Sequence, residues 1–242
     1  MAENEIIKHV NKAYTIFKSS GNSLKHKIIE IVIEILIIIF AVNTSIWFHD
    51  WSERKHDQKE EKEFLIGLKK DLQIDIENMT NSKIFYENTL NGIHYFLKAG
   101  KTIAINQDSI NKYSGIFSSS TNLDPHIARY EGLKSSGRFK IIENKELLNN
   151  IIDLHETVFQ RIQELNEIYY QHNEKLETLI SQKLQLGKNG EITNVESILS
   201  RNDFNILLSL SGGLIVNNII SVHEDGINEC NDIIAQIDKE LK

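Results

Sequence analysis

The feature that most constrains this chain is the apolar run at residues 28–48, IIEIVIEILIIIFAVNTSIWF. As a helix it would be about 31 Å long, which matches the hydrocarbon core of a bilayer at about 30 Å. Glu30 and Glu34 lie near its start, and the many Ile, Leu, Val and Phe residues outweigh their insertion cost. We therefore predict a transmembrane helix, with a buried core helix of a water-soluble protein as the alternative.

Tryptophans mark the far end of the run. Trp47 and Trp51 are predicted to be interfacial anchors, because an indole ring is apolar while its N–H prefers water. The segment before the run is long, and no small-residue cleavage pattern follows it, so a cleaved signal peptide is disfavoured. The run is typical of a retained membrane anchor.

Polar and small residues share one side of this helix. At about 100° per residue they fall within about one third of the circumference. A carboxylate in a membrane needs a partner, and small residues allow close helix approach, so this stripe predicts a helix–helix contact, most simply in a homo-oligomer. In the alternative, the carboxylates lie at headgroup level without a role. The predicted contact residues are Glu30, Glu34, Ala41, Thr44 and Ser45.

Residues 1–27 are predicted to be an amphipathic juxtamembrane segment, with a frayed tail as the alternative. Ile6, Val10 and Phe17 recur at helical spacing among lysines, and GNS at 21–23 supplies a bend. Lysines flank the run on both sides, so the positive-inside rule does not decide the orientation. An amphipathic helix prefers an anionic leaflet, which places the N-terminus in the cytoplasm of a single-pass inner-membrane protein.

Residues 49–242 are predicted to form an extramembrane helical domain. One proline and twelve glycines leave too few chain breakers for a sandwich or barrel. Dense alternating charges after Trp51 favour a coiled-coil-like stalk that continues the anchor helix to about residue 97. The predicted fold class is all-α, with one N-terminal transmembrane helix continuing into a stalk and an antiparallel helical bundle.

Local signals predict the later helix boundaries. Asp124 as cap, Pro125 as first residue and a left-handed Gly137 bound a short helix. A helix of about forty residues starts near Asn144 and presents an apolar side every three or four residues. TNVE at 193–196 is a capping-box pattern, and SGG at 211–213 is expected to separate a final helix near 214–241.

Charge and cysteine content exclude several classes. Lys and Arg number 27 against 34 Asp and Glu, giving a net charge of −7, so a phosphate-neutralising nucleic-acid surface is not predicted. The single thiol, Cys230, rules out an intrachain disulfide or a cysteine-based zinc site, and we expect it to be buried.

Three clusters resemble chemical motifs without completing them. Glu53 and His56 form one E-x-x-H pair with His49 one turn earlier, but a di-iron bundle needs two such pairs. GLKSSGR at 132–138 lacks the lysine of a phosphate loop. HEDG at 223–226 points its side chains in different directions, which predicts a solvated face. We predict no catalytic, cofactor or metal residues and no enzyme, although a site assembled in space remains open.

The anchor IEIVIEILIIIFAVNTSIW, the following WSERK and the later RYEGLKSSGRFKIIENKELLNNIIDLHE form a pattern over most of the chain. It resembles an uncharacterised bacterial family of single-pass membrane proteins. Members share an E-I-rich N-terminal anchor, an E-R-K stalk and a Y-x-x-L-x-S-S-G motif before a long helix. The resemblance implies a membrane anchor with a helical domain, and no activity.

The sequence therefore favours a non-enzymatic, membrane-anchored helical protein that self-associates and binds a protein partner through its extramembrane domain. The expected partners are membrane lipid, a second copy and a protein, without nucleic acid or cofactor. The alternative is an oligomeric pore-forming or membrane-disrupting effector, in which Glu30 and Glu34 line a path. Ion flux in liposomes distinguishes the two.

Overall fold

The structure is a computed structural model, and every regular element that it describes is helical, which confirms the all-α prediction. The chain divides into two compact units, Met1–Glu60 and Glu61–Lys242, which we describe separately. The residues described are 7–8, 11–12, 14–15, 24–117, 119–185, 188 and 193–242.

The first long helix, α1, covers Leu24–Lys98 and is 75 residues long. The predicted helix from the anchor to about residue 97 is therefore confirmed. The boundary between the two units falls inside α1. Just after α1, Gly100 has a positive φ of 75°, a conformation that glycine adopts without a steric penalty.

The remaining elements all belong to the unit Glu61–Lys242 and are helical. Two of the long helices contain a π-helical segment, and each therefore runs through three consecutive elements. In chain order the elements are α2 (Gln107–Tyr113), a 3₁₀ turn (Ser114–Phe117), α3 (Ala128–Ser135), a 3₁₀ turn (Phe139–Ile141), α4 (Lys145–Asp153), a π segment (Leu154–Val158), α5 (Phe159–Lys183), α6 (Val195–Leu199), α7 (Asn202–Leu214), a π segment (Ile215–Ile219) and α8 (Ile220–Glu240).

The start of α3 differs from the prediction. Asp124 does not cap the helix and Pro125 is not its first residue, since α3 begins at Ala128 without a side-chain cap. The preceding backbone is held by a distant group, because the N–H of His126 donates to both carboxylate oxygens of Asp75, at 3.1 and 3.2 Å. A tertiary hydrogen bond thus replaces the local cap.

The end of α3 matches the prediction. Gly137 has a φ of 66° in the left-handed region. Its N–H donates to Lys134 O at 3.0 Å, and the N–H of Arg138 donates to Leu133 O at 3.2 Å. These two bonds form a Schellman motif, which satisfies the last carbonyls of the helix.

The predicted long helix near Asn144 is also confirmed. The Asn144 side chain accepts hydrogen bonds from the N–H groups of Glu146 and Leu147 and thereby caps α4. The π segment that follows shifts the register of the buried face. As a result Phe159 is fully buried, whereas the preceding Val158 is only partly buried.

The predicted break at SGG is wrong. Residues 211–213 lie inside α7, which continues through its π segment into α8. Ser211 and Gly212 are buried, and a Cβ on Gly212 would lie 3.3 Å from Ile93 Cγ2. The small residues allow α7 to approach α1 closely, and the packing outweighs their low helix propensity.

The capping box at TNVE is wrong as well, although a short helix does follow it. Asn194, not Thr193, precedes α6, and its side chain makes no capping bond to the helix. Instead Asn194 Oδ1 accepts from the N–H of Gln185 and its Nδ2 donates to Lys183 O. This residue joins the end of α5 to the start of α6.

Two apolar clusters form the core of the bundle. The first cluster joins the α1 residues Phe64 to Met79 to α3, α4 and α8, and Cys230 lies in it, fully buried as predicted. The second joins Tyr86 to Phe96 of α1 to the later helices, with Tyr169, Phe204, Leu208, Ile215 and Ile219 among its buried members.

Candidate functional site

The predicted membrane segment exposes its apolar side chains in this structure. Only 6% of the residues in its most apolar window are buried. Exposed fractions include 58% for Ile28, 74% for Phe40 and 60% for Trp47. A contiguous apolar surface of this kind is rare on water-soluble monomers, so this helix is a candidate membrane span.

A second helical stretch, Asn202–Glu240, is also long and apolar enough to cross a membrane. In its most apolar window 39% of the residues are buried. Phe204, Leu208 and Ile215 of this stretch pack into the second core cluster. Its apolar composition is explained by the core of the bundle.

Glu34 is the exception within the exposed anchor. It is 3% exposed, and Lys12 Nζ lies 3.6 Å from its Oε2. Ile31 and Ile38, on the same side of α1, are half-buried. The described N-terminal residues 7–8, 11–12 and 14–15 are helical, whereas the predicted bend at 21–23 lies outside the described residues. A lysine of the chain itself thus approaches the carboxylate for which the sequence predicted a partner helix.

The other predicted contact residues are exposed. Glu30, Ala41, Thr44 and Ser45 are accessible along α1, so this part of the stripe is open to a neighbour. Of the predicted interfacial anchors, Trp47 is 60% and Trp51 is 45% exposed. Their roles at a membrane stay predictions.

After the anchor, one group of metal-ligating side chains converges within the described part of the chain. His49 Nδ1 lies 3.9 Å from Asp50 Oδ1 and 3.9 Å from Glu53 Oε2. His56 does not join this group, because its Nε2 pairs with Glu60 Oε1 at 3.2 Å. Glu53 and His56 of the E-x-x-H pattern therefore each pair with a different residue four positions away along the helix. All three converging side chains are exposed, as in a solvated helix face.

In the bundle, Asp75 and His126 form a buried polar contact that the sequence did not reveal. Asp75 is fully buried, and its Oδ1 lies 2.7 Å from His126 Nδ1. Burial raises the pKa of the Asp75 carboxyl, and the hydrogen bonds from His126 partly oppose this shift. The hydrogen bond to Asp75 raises the pKa of His126. The pair anchors the chain before α3 to α1.

His155 and His223 share one arrangement. In each, Nδ1 lies 2.8 Å from the carbonyl oxygen four residues earlier, that of Ile151 or Ile219. This contact requires a proton on Nδ1, so Nε2 is the unprotonated acceptor, and it has no partner among the described residues. Burial lowers the pKa of both histidines, which are therefore neutral in the folded bundle.

The burial of His223 contradicts the predicted solvated face of HEDG. His223 is fully buried against Tyr86, with ring centroids 5.7 Å apart. Its neighbours do diverge as expected, since Glu224 pairs with Lys83 at 2.6 Å and Asp225 is exposed. The sequence does contain a signal for the burial of His223, because this residue follows the apolar Ile219 by one helical turn.

A polar layer lies where α1 meets α5, and it includes Tyr86 of the second apolar cluster. It consists of Ser82, Tyr86, Thr121 and Asn166. Ser82 Oγ lies 3.0 Å from Thr121 Oγ1, and the Tyr86 hydroxyl donates to Asn166 Oδ1 at 2.8 Å. Burial raises the pKa of the Tyr86 phenol, so Tyr86 stays a donor. A mismatched register would leave these groups unpaired, so the layer selects one alignment of α1 with α5.

The buried side chains of His155, His223 and Cys230 are not accessible to a substrate in this structure. His155 and His223 are enclosed by the core, and burial raises the pKa of the Cys230 thiol, which keeps the thiol protonated. Comparison with known protein families, curated proteins and solved structures finds no match to this chain.

Proposed function

We propose that this chain is a non-enzymatic membrane protein, anchored by the α1 segment 28–48, that self-associates and binds a protein partner through its helical bundle. The observation that carries the proposal is the exposed apolar surface of α1 from Ile28 to Trp51. Lipid is the environment that would cover such a surface along a single helix. The resemblance to single-pass bacterial membrane proteins agrees with this proposal.

Self-association is supported by the exposed part of the polar stripe. Ala41 and Ser45 lie one turn apart, and their small side chains would let a second helix approach closely. The pairing of Glu34 with Lys12 weighs against the pore alternative, because it withdraws one of the two carboxylates that would line a path. We therefore favour an anchor contact over a pore.

Cross-linking in native membranes tests the contact. Ala41→Leu is expected to abolish the cross-linked oligomer sterically, whereas Val42→Leu, directed away from the stripe, leaves it unchanged. Glu34→Leu is expected to leave the oligomer unchanged, because Glu34 pairs with Lys12 of its own chain and is not part of the exposed stripe. An unchanged oligomer in Ala41→Leu would refute the contact, and a weakened oligomer in Glu34→Leu would show that Glu34 belongs to it.

For topology, we propose an inner-membrane protein with a cytoplasmic N-terminus and the bundle outside the cytoplasm. A Ser120→Cys variant tests this orientation, because Ser120 is exposed and the native thiol of Cys230 is fully buried. A membrane-impermeant maleimide should label the variant in intact spheroplasts and leave the parent unlabelled. If the variant is labelled only after the membranes are broken, the bundle lies in the cytoplasm and the proposed orientation is wrong.

Exposed apolar residues on α7 support a protein partner. Ile206 and Leu210 lie one turn apart and are 50% and 54% exposed. We expect the double variant Ile206→Ser and Leu210→Ser to lose its companion in a mild-detergent pull-down from the native host. The control is Ile84→Ser on α1, where Ile84 is 49% exposed. Equal recovery of the same companion with both variants would exclude the α7 surface.

A further inference from the structure

A cavity of about 430 Å³ lies within the unit Glu61–Lys242. It is open to solvent on one side and is lined by the end of α1, α2, the following 3₁₀ turn, the end of α5, α6 and the start of α7. Its size is in the range of about 300–1,000 Å³ that is typical of small-molecule sites.

The walls of this cavity are aromatic and aliphatic. Three phenylalanines form one side, with ring centroids 4.8 Å apart for Phe96 and Phe117 and 5.8 Å apart for Phe117 and Phe204. Ile110, Ile180 and Leu199 contribute to the rest of the lining. Such walls favour an apolar body, and ring faces also attract cations.

Polar groups enter this lining from three residues, Ser114, Ser181 and Glu177. Glu177 is the one charged residue of the lining, and it is exposed at the mouth. No ion pair joins its carboxylate to another residue of the described chain. An anionic ligand would place its charge beside Glu177, whereas a cationic ligand would meet an available carboxylate.

We propose that this cavity binds a small amphipathic amine. The apolar body of the amine occupies the phenylalanine-lined interior, and its ammonium group lies at Glu177. Shape and apolar burial supply most of the affinity, and the carboxylate at the mouth selects the cation over a neutral or anionic analogue of the same shape. This binding site uses none of the residues of the proposed membrane contact and neither Ile206 nor Leu210 of α7.

Three probes of matched shape test the assignment: 4-phenylbutylamine, 4-phenylbutanol and 4-phenylbutyrate. Calorimetric titration uses the full chain in phosphatidylcholine nanodiscs, and titration into empty nanodiscs subtracts partitioning into lipid. The amine should bind saturably and about threefold more tightly than the alcohol, as expected for an exposed ion pair, and the carboxylate most weakly. Absence of saturable amine binding, or equal binding of all three probes, would overturn the proposal.

Two variants with one matched control locate the site. Glu177→Gln should reduce amine affinity to that of the alcohol, whereas Glu164→Gln removes an exposed carboxylate of α5 outside the cavity lining and should change nothing. Ser181→Trp should block all three probes by filling the mouth. Both changes are at exposed positions, so the fold is expected to persist, and circular dichroism checks it. Amine binding that survives Ser181→Trp in the folded chain would place the ligand elsewhere.

Discussion

Replacing Gly226 with leucine should destabilise the bundle by about 3 kcal/mol, the upper part of the usual range for overpacking a core. Gly226 is buried on α8, where a Cβ would lie 2.9 Å from Met79 Sδ and 3.0 Å from Ile162 Cδ1. Both neighbours belong to the first core cluster, and Met79 is fully buried. A leucine there must push the Met79 and Ile162 side chains aside or move α8 away from α1 and α5.

Gly132→Leu is the matched control. Gly132 is exposed on α3, and no atom lies within 4 Å of the position its Cβ would take. Leucine has a higher helix propensity than glycine, so this variant should gain up to about 1 kcal/mol. The rate at which a thiol reagent reaches buried Cys230 in the full chain, followed against urea concentration, reports both changes. Equal stability of the two variants would contradict the close packing at Gly226.

The stability of the bundle should fall on acidification because of its buried histidines. Burial lowers the pKa of His223, whereas an unfolded chain has an ordinary histidine pKa of about 6.5. Below that pH His223 binds a proton in the unfolded state but stays neutral in the folded state, so the free energy of unfolding decreases. Each unit by which burial lowers a pKa is worth about 1.4 kcal/mol.

His155 acts in the same direction, while His126 acts in the opposite one. Asp75 raises the pKa of His126, so its contribution is present at low pH and is lost as the pH rises through the folded value. The His126 ring is 42% exposed, which makes its contribution the smaller one. We therefore expect His155 and His223 to lower the stability of the bundle between pH 7 and pH 5.

His223→Phe should reduce this acid sensitivity, since phenylalanine keeps an aromatic ring in the core without a proton site. His94→Phe changes an exposed histidine of α1 and should leave the pH profile unchanged. Urea titrations at pH 7 and pH 5, followed by near-ultraviolet circular dichroism of the buried tyrosines, measure both. An identical acid response in parent and His223→Phe would remove His223 as its source.

Local chemistry made part of this fold predictable. The Asn144 cap and the left-handed Gly137 depend on hydrogen bonds within a few residues. Gly137 adopts its predicted conformation, and a helix starts next to Asn144 as predicted. The start of α3 depends instead on Asp75, which is 51 residues from His126. Local sequence cannot anticipate a bond of that range.

The remaining differences come from packing partners that a single helix does not reveal. Ser211 and Gly212 are residue types that often end a helix, yet the close approach of α7 to α1 requires small residues there. His223 is polar, but its side of α8 turns out to face Tyr86. At the candidate contact, the stripe of α1 was readable from helical periodicity, whereas the approach of Lys12 to Glu34 required the N-terminal segment to be placed in space.

The pairing of the first and last helices of the bundle also has a consequence for folding during synthesis. Lys83 of α1 pairs with Glu224 of α8 across 141 positions of the chain. At a synthesis rate of about 5–20 residues per second, roughly 7–30 s separate their emergence from the ribosome. During that interval Met79 and Tyr86, fully buried in the finished protein, lack the part of their cover that α8 provides at Gly226 and His223. Nascent chains halted before α8 should therefore depend on a chaperone that holds the apolar side of α1.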